Sequence, residues 1–374
     1  MDFTYSEEQQ MLADSLRRFV ASEYSFEHRR RNAREQGGFD RATWRQLADM
    51  GVLGLTIPAD HGGFGEGPAS QVVVQRELGR GLVQEPVIPA AIATAILAHH
   101  APAAQQAEWL PAIADGSKVL ALAYLEPATR YRLDAAQTAA RQREPNGYVL
   151  SGAKSVVWHG GAADTYLVSA KLDGTLALFL VSRDAPGLTV TAYPTIDRLT
   201  GADLKLTDVP ATLVTVNGLQ GLELGIDHGI AAQCAAAAGA MERLIEITAE
   251  YLGARKQFGK PLASFQALQH RMADMLLQKE LALSMAYVAA QGLDATDTDE
   301  RRRKVSAAKV VTARAARFVG QQAVQLHGGM GMTDELEVGD YFKALAMTDV
   351  LLGDTDLHME RYNASMAPIA PIAA

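Results

Sequence analysis

The chain has 374 residues, 48% of them hydrophobic and 21% charged, with 32 Gly and 14 Pro. That balance excludes intrinsic disorder and collagen-like repeats, and at roughly 150 residues per domain it predicts two or three domains. Lys plus Arg number 35 against 43 Asp plus Glu, a formal charge of −8, which argues against nucleic-acid binding because phosphate neutralisation needs a basic excess.

Residues 1–115 read as a helical domain. The opening Met1-Asp2-Phe3-Thr4-Tyr5 lacks the basic-then-apolar layout of a secretory signal, and no stretch approaches the roughly 20 apolar residues of a spanning helix. The expected setting is cytoplasmic. Ser6 followed by Gln9 is a capping-box pattern, after which Leu12, Leu16, Phe19 and Val20 form one apolar stripe. A second helix is predicted behind Asp40, with Trp44, Leu47 and Met50 facing inward and Gly51 as the stop. Residues 57–68 are a loop by composition, and Gly63-Phe64-Gly65-Glu66-Gly67 runs into Pro68 rather than opening a helix after a strand. That context makes it a tight connection rather than a phosphate loop. A further helix carries Val72 to Leu78, and Pro86 and Pro89 are expected to break the run. His99 and His100 are adjacent, a poor spacing for chelation on a helix.

Residues 116–220 read as a β-domain. Val119 to Tyr124, Tyr148 to Leu150, Tyr166 to Ala170, Leu176 to Val181 and Leu188 to Tyr193 are short apolar or β-branched runs. The turn pairs Asn146-Gly147, Asp173-Gly174 and Pro186-Gly187 between them predict antiparallel hairpins. From 221 to 374 long helical periodicity returns. The lone Cys234, in the apolar run Ala231 to Ala240, excludes an internal disulfide and reads as an inert packed thiol. Arg301 to Lys304 reads as a solvated helix start. Helix, strand, helix in blocks is not a βαβ alternation, so a doubly wound sheet is not expected.

Two segments carry chemistry. In Tyr251 to Leu262 a helix ends in a cationic turn. The Arg255 fork suits phosphate oxygens, Gln257 adds an amide donor, and Phe258 offers a face for a purine or an apolar anchor. The same pattern also describes an ordinary solvated helix end. In Gln325 to Met332 small residues let backbone approach a ligand or partner closely, or simply end a helix in a glycine turn.

Together these segments resemble the acyl-CoA dehydrogenase family along essentially the whole chain. Ser6 to Gln9, Trp44 with Gly51 to Gly54, Pro58 with Gly62 to Gly65, and Glu77 to Arg80 fall in the family's order. Glu126-Pro127 and Gly152 to Lys154 mark its middle domain. Arg255 to Gly259 and Gln325 with Gly328, Gly329 and Gly331 match its most specific signatures. Phe265 to His270, Tyr341 to Lys343 and Gly353-Asp354 look like the small subunit of pimeloyl-CoA dehydrogenases. The resemblance implies a mainly α fold, with a helical N-terminal domain, a β-barrel-like middle domain and a C-terminal four-helix bundle, in dimers or tetramers. It implies FAD as cofactor. The positions Arg255, Gln257, Phe258, Phe265, Gln325 and Gly329 would reach the neighbouring subunit's FAD. Asp356, in the loop after Leu352, joins this cofactor-binding set. Asp227 matches a position near the tail of an acyl-CoA substrate.

The family reaction removes a Cα proton and passes hydride from Cβ to flavin, giving a trans-2-enoyl-CoA. It needs a desolvated carboxylate base. Counting from Gln325, the usual base position falls on Leu352, and the alternative family position, on the first bundle helix, falls on Gly229. The nearest carboxylates in the same loop are Asp354 and Asp356; Asp354 is the candidate substitute base, and its other readings are a turn residue or a flavin-contacting polar group. In the middle domain the family's Trp-x-Thr becomes Val156-Val157-Trp158, and Arg130 and Arg132 replace part of a flavin-contacting loop. The expectation is an FAD-dependent chain acting as the small subunit of a hetero-oligomer. A homologous partner would hold the base and an electron-transferring flavoprotein would take the electrons. The alternative is a non-catalytic scaffold that stabilises a catalytic homologue.

Overall fold

The computed structural model describes residues 5–35, 38–143 and 147–366. The segment Met1 to Thr4 and the turn residue Asn146 lie outside the described residues. The chain divides into two compact units, Met1–Gly229 and Ile230–Ala374.

The first unit opens with six helices: α1 (Glu7–Glu23), α2 (Phe26–Glu35), α3 (Arg41–Asp49), α4 (Pro68–Arg80), α5 (Val87–His100) and α6 (Ala103–Ala114). The capping box forms reciprocally, with the Gln9 N–H donating to Ser6 Oγ at 3.2 Å and the Ser6 N–H to Gln9 Oε1 at 3.1 Å. Asp40 caps α3 by accepting from the Ala42 and Thr43 amides. Trp44 and Leu47 are buried on the inner face of α3, and the Trp44 indole donates to Gly116 O at 2.9 Å. Met50 is only half-buried. Helix α2 carries no strong apolar stripe and was not legible in the sequence. Pro89 does not break the chain. It lies in the first turn of α5, where a missing N–H has no intrahelical acceptor to lose.

Seven strands follow: β1 (Leu120–Ala123), β2 (Ala139–Arg143), β3 (Gly147–Trp158), β4 (Thr165–Leu172), β5 (Thr175–Ser182), β6 (Leu188–Pro194) and β7 (Thr200–Thr215). Strands β4, β2, β3, β7 and β5 pair in turn, and β5 pairs back to β4, closing the sheet into a barrel-like ring. Asp173 and Gly174, at φ 49° and 83°, make the two-residue turn between β4 and β5, as that dipeptide demands. The purely antiparallel expectation is corrected, since β1 and β2 both pair parallel to β4. Alternating burial tells which face of a strand is inside but not which neighbour it takes. Pro186-Gly187 is likewise not a β5–β6 hairpin, because β6 pairs with β7.

Inside this sheet sits a buried ion pair. Lys154 Nζ lies 2.6 Å from Glu126 Oε1, with the two side chains 0% and 4% exposed. Glu126 also accepts from the Gln137 and Thr138 amides and the Thr138 hydroxyl. Burial alone would raise its pKa, but the hydrogen bond and charge of Lys154 hold it below the usual range. The pair ties the end of β1 to β2 and β3, around the loop that carries Arg130 and Arg132.

The helices of the C-terminal region are α7 (Gly218–Ala254), which starts in the first unit, α8 (Gln266–Leu293), α9 (Thr298–His327), α10 (Val338–Val350) and α11 (Thr355–Ala364). Their buried faces are alanine-rich: Ala231, Ala235 and Ala238 on α7, Ala282, Ala286 and Ala289 on α8, Ala308, Ala315 and Ala316 on α9. Cys234 is buried among them, and burial raises its thiol pKa. Asp297 caps α9, while Arg302 and Lys304 pair with Asp299 and Glu300 of its own first turn.

Glu85, just before α5, is 4% exposed. One oxygen accepts the Asp40 N–H at 3.3 Å, and the other has no partner among the described residues. Burial pushes its pKa from the ordinary 4.5 up to about 8. Between those values the folded chain holds a proton that the unfolded chain has lost, so stability falls as pH rises through the interval. Glu85→Gln removes the ionisation but keeps the acceptor. Thermal denaturation should show the variant matching wild type near pH 4.5 and exceeding it by several degrees at pH 8. Equal melting temperatures at both pH values would refute this.

Candidate functional site: a cationic hairpin beside a glycine turn

Helix α7 ends with the Arg255 N–H donating to Tyr251 O at 2.9 Å. The chain then turns back through β8 (Lys256–Gln257) and β9 (Lys260–Pro261), paired antiparallel. Phe258 and Gly259 make the bend at φ 53° and 80°. Both are left-handed, a backbone that glycine takes freely and phenylalanine only under constraint. The Phe258 ring is 88% exposed and meets Phe265 edge-on at 6.1 Å. Lys260 Nζ stands 4.3 Å over the Phe265 ring. The side chains of Arg255, Lys256 and Gln257 are exposed. They have no hydrogen bond or ion pair among the described residues. In a chain of charge −8, this is a local concentration of free cations and amide donors around an uncovered aromatic ring.

The second predicted segment closes α9. Gln325 is exposed, Leu326 and His327 are buried, and Gly328 turns the chain at φ 60°. A Cβ on Gly328 or Gly329 would meet nothing within 4 Å, whereas one on Gly331 would lie 2.7 Å from Val324 O. Gly331 is therefore required for packing, while Gly328 and Gly329 leave their backbone open to an approaching group. One contact joins the two segments. The Tyr251 ring stacks on the His327 imidazole, centroids 4.3 Å apart and planes 27° apart, and the Tyr251 hydroxyl donates to His327 O at 3.3 Å.

Unpaired guanidinium, ammonium and amide donors suit a pyrophosphate, the open glycine backbone admits close approach, and an exposed phenyl face suits a purine. These residues fit the outer half of FAD. The middle-domain positions differ. Val156 is 45% exposed at φ 51°, with its N–H on Asp203 Oδ1 at 3.0 Å. Trp158 is half-buried, and its indole N–H is sealed with no partner among the described residues. No hydroxyl stands at that position.

The turn from α10 to α11 holds the positions predicted for a base. Leu352 is 7% exposed at φ 62°, a strained backbone for leucine. Two buried side chains grip it. Lys309 Nζ donates to Gln233 Oε1 at 2.7 Å, to Leu351 O at 2.5 Å and to Thr348 O. His358 Nε2 lies 3.0 Å from Leu352 O. Three acceptors match the three N–H groups of an ammonium, although burial pushes the Lys309 pKa down to about 8. Asp354 is the N-cap of α11, accepting the Leu357 N–H at 2.9 Å, so its carboxylate is engaged in capping. Asp356 is exposed in the first turn of α11, and Asp227 is fully buried on α7. Lys309 and His358 escaped sequence reading because nothing local marks a lysine or histidine as buried. Among the described residues no cluster of His, Cys, Asp and Glu could hold a metal ion, and no helix is long and apolar enough to cross a membrane.

Three family models match in succession: the N-terminal domain of acyl-CoA dehydrogenases over residues 6–117, the middle domain over 121–209 and the C-terminal domain over 217–367. Acyl-CoA dehydrogenase FadE27 of Mycobacterium tuberculosis is 30% identical, with 98% of this chain and 99% of that protein covered. Among solved structures, the ChsE4-ChsE5 complex from Mycobacterium tuberculosis has a chain that is 29% identical at a TM-score of 0.87, covering 99% of this chain and 100% of that one. The Tcur3481-Tcur3483 steroid ACAD is 30% identical at a TM-score of 0.88, covering 96% and 97%.

Replacing Lys309 with Met would leave one amide and two carbonyl oxygens without their donor in a dry interior. The expected loss of stability is about 2–4 kcal/mol, read as a lowered midpoint in chemical denaturation. A midpoint within error of wild type would show that these contacts contribute nothing net.

Proposed function

The chain belongs to the acyl-CoA dehydrogenase family of flavoprotein oxidoreductases, and from that premise we propose that it is the FAD-binding companion subunit of a hetero-oligomeric acyl-CoA dehydrogenase. A homologous partner supplies the catalytic carboxylate, an acyl-CoA is the substrate, and an electron-transferring flavoprotein receives the electrons. The observation that carries this reading is the pairing of a well-formed dinucleotide corner with the loss of a carboxylate at both base positions, Leu352 and Gly229. The likeness to a chain of the ChsE4-ChsE5 complex, which unites two differently named proteins, supports the heteromeric form. So do the segments that resemble the small subunit of pimeloyl-CoA dehydrogenases.

Bound FAD supplies the hydride acceptor for Cβ, which no amino-acid side chain provides. This chain's residues do the holding. Arg255 and Gln257 would hold the pyrophosphate of the FAD of the adjacent subunit. The open backbone of Gly328 and Gly329, with Gln325, would admit the dinucleotide, and Phe258 and Phe265 would cover its adenine. Phe258 is then buried on assembly, which removes an exposed phenyl face from water. Asp227 and Asp356 keep the roles of substrate-tail and cofactor neighbours within this reading.

A second reading makes the chain self-sufficient, with Asp354 as its base. The capping hydrogen bond from Leu357 weighs against it, since a carboxylate that caps a helix is oriented away from free duty as a base. Asp354→Asn separates the two roles, because Asn caps as well as Asp but cannot take up a proton. The companion reading predicts unchanged melting temperature and unchanged turnover when the variant is assayed with its partner; loss of turnover at equal stability would favour Asp354 as base.

The main test uses the chain co-purified with its companion. Arg255→Ala should lower FAD affinity roughly 10- to 100-fold, measured by flavin fluorescence, and reduce acyl-CoA-dependent bleaching in proportion. A preparation that takes up no FAD with any homologous companion would overturn the proposal.

A further inference from the structure

A cavity of about 390 Å³ opens within the first unit, between the chain leading into α3 and the turn that joins β3 to β4. Phe39 and Arg41 line it from the helical segment, and the turn at 161–164, Arg183 and Thr200 line it from the barrel. The turn is pressed onto the barrel at Gly161, where a Cβ would stand 2.4 Å from Thr200 Oγ1. Two guanidinium groups are tethered to this turn. Arg183, directly after β5, is half-buried. Its Nη1 faces the carbonyl oxygens of Gly161 at 2.9 Å, Ala163 at 3.2 Å and Gly160 at 3.3 Å, and the Tyr166 hydroxyl at 3.2 Å. Arg41 Nη2 lies 2.5 Å from Asp164 Oδ1, and its guanidinium stands 5.4 Å over the Phe39 ring. The second Asp164 oxygen accepts the Val119 N–H at 3.0 Å, so that carboxylate is fully engaged.

The wall therefore carries two cations against one paired carboxylate, in a chain whose total charge is −8. Arg183 Nε and Nη2 have no hydrogen bond or ion pair among the described residues. They form the edge of the guanidinium that grips a carboxylate with two parallel bonds. Arg17 uses that same edge on Glu77, at 3.0 and 2.7 Å. Opposite the cations, the Phe39 ring and the Ala162 and Ala192 methyls make an apolar wall. A site of this size with a few placed polar groups and an apolar lining suits a small organic ligand. We propose that the cavity binds a small organic carboxylate, its head on the Nε–Nη2 edge of Arg183 and its hydrocarbon body against Phe39 and Ala192. The inference does not depend on FAD occupying the Arg255 corner. Because the lining comes from both the helical and the barrel segments, the bound carboxylate braces one against the other and stabilises the folded chain.

The test is calorimetric titration of the full chain, co-purified with its companion, with sodium benzoate. Sodium acetate keeps only the charge of that probe, benzyl alcohol only its ring, and inorganic phosphate offers a different anion. The expected result is saturable benzoate binding with a Kd of about 1 mM or tighter, a raised melting temperature, and weaker binding of the other three probes. Arg183→Gln should weaken benzoate about tenfold or more. Should that variant fail to fold, Arg183→Lys, which keeps the charge and loses the two-pronged edge, is expected to show the same loss. Ala192→Phe fills the cavity without removing any of its hydrogen bonds, and should abolish benzoate binding while FAD content stays at the wild-type level. Three results would each overturn the proposal: no saturable benzoate binding, wild-type benzoate affinity in Ala192→Phe, or benzyl alcohol or phosphate binding as tightly as benzoate. None of them bears on the Arg255 corner, whose own test is FAD uptake.

Discussion

Two helix ends that lie far apart in the chain, at Ala254 and His327, are held together by the face-to-face contact of Tyr251 with His327. The features that make a corner suited to a dinucleotide lie on either side of that contact. The hairpin with Arg255, Gln257 and Phe258 continues from the Tyr251 side, and the open glycine turn continues from the His327 side. An aromatic stack contributes modestly beyond its buried area. Its importance here is geometric, because it sets two independent signatures against one another. The 88% exposed Phe258 sits at the bend of a hairpin that continues from this scaffold, and the neighbouring cations keep that surface from being a purely apolar patch.

The turn after α10 is shaped by buried side chains that lie outside it. Leu352 retains a left-handed backbone that leucine disfavours. Lys309 and His358 hold the carbonyls around it from two buried positions. Breaking such a buried charge–dipole arrangement is strongly unfavourable, since the ammonium or the carbonyls would be left dry and unpaired. The conformation of this turn is therefore set by its surroundings. Asp354 is drawn into capping by the same turn.

The middle domain shows the same separation of scaffold from chemistry. Glu126 and Lys154 form a buried pair, with Glu126 accepting from the Gln137 and Thr138 amides just before β2 and Lys154 also donating to the Ser169 hydroxyl on β4. Yet the nearby positions that distinguish this chain, Val156, Trp158 and the arginines at 130 and 132, depart from what the family usually places there. The framework is preserved where it closes the sheet. Of the departing positions, Arg130, Arg132 and Val156 are exposed and Trp158 is half-buried.

Features whose chemistry is complete within a few residues were legible from the amino-acid order. The Ser6–Gln9 capping box, Asp40 as the cap of α3, and the Asp173-Gly174 turn each need only neighbours in the chain, so their residue types announce them. The segments at Arg255 and Gln325 were legible as motifs, and with them the family and the three-part fold. What required the folded chain was everything decided by distant partners. The parallel pairing of β1 and β2 with β4, the burial of Lys309 and His358, the capping of α11 by Asp354 and the stack of Tyr251 on His327 each join residues remote in sequence. Their free energy comes from burial and mutual satisfaction in the compact state, and a linear pattern carries no record of which side chains will meet there.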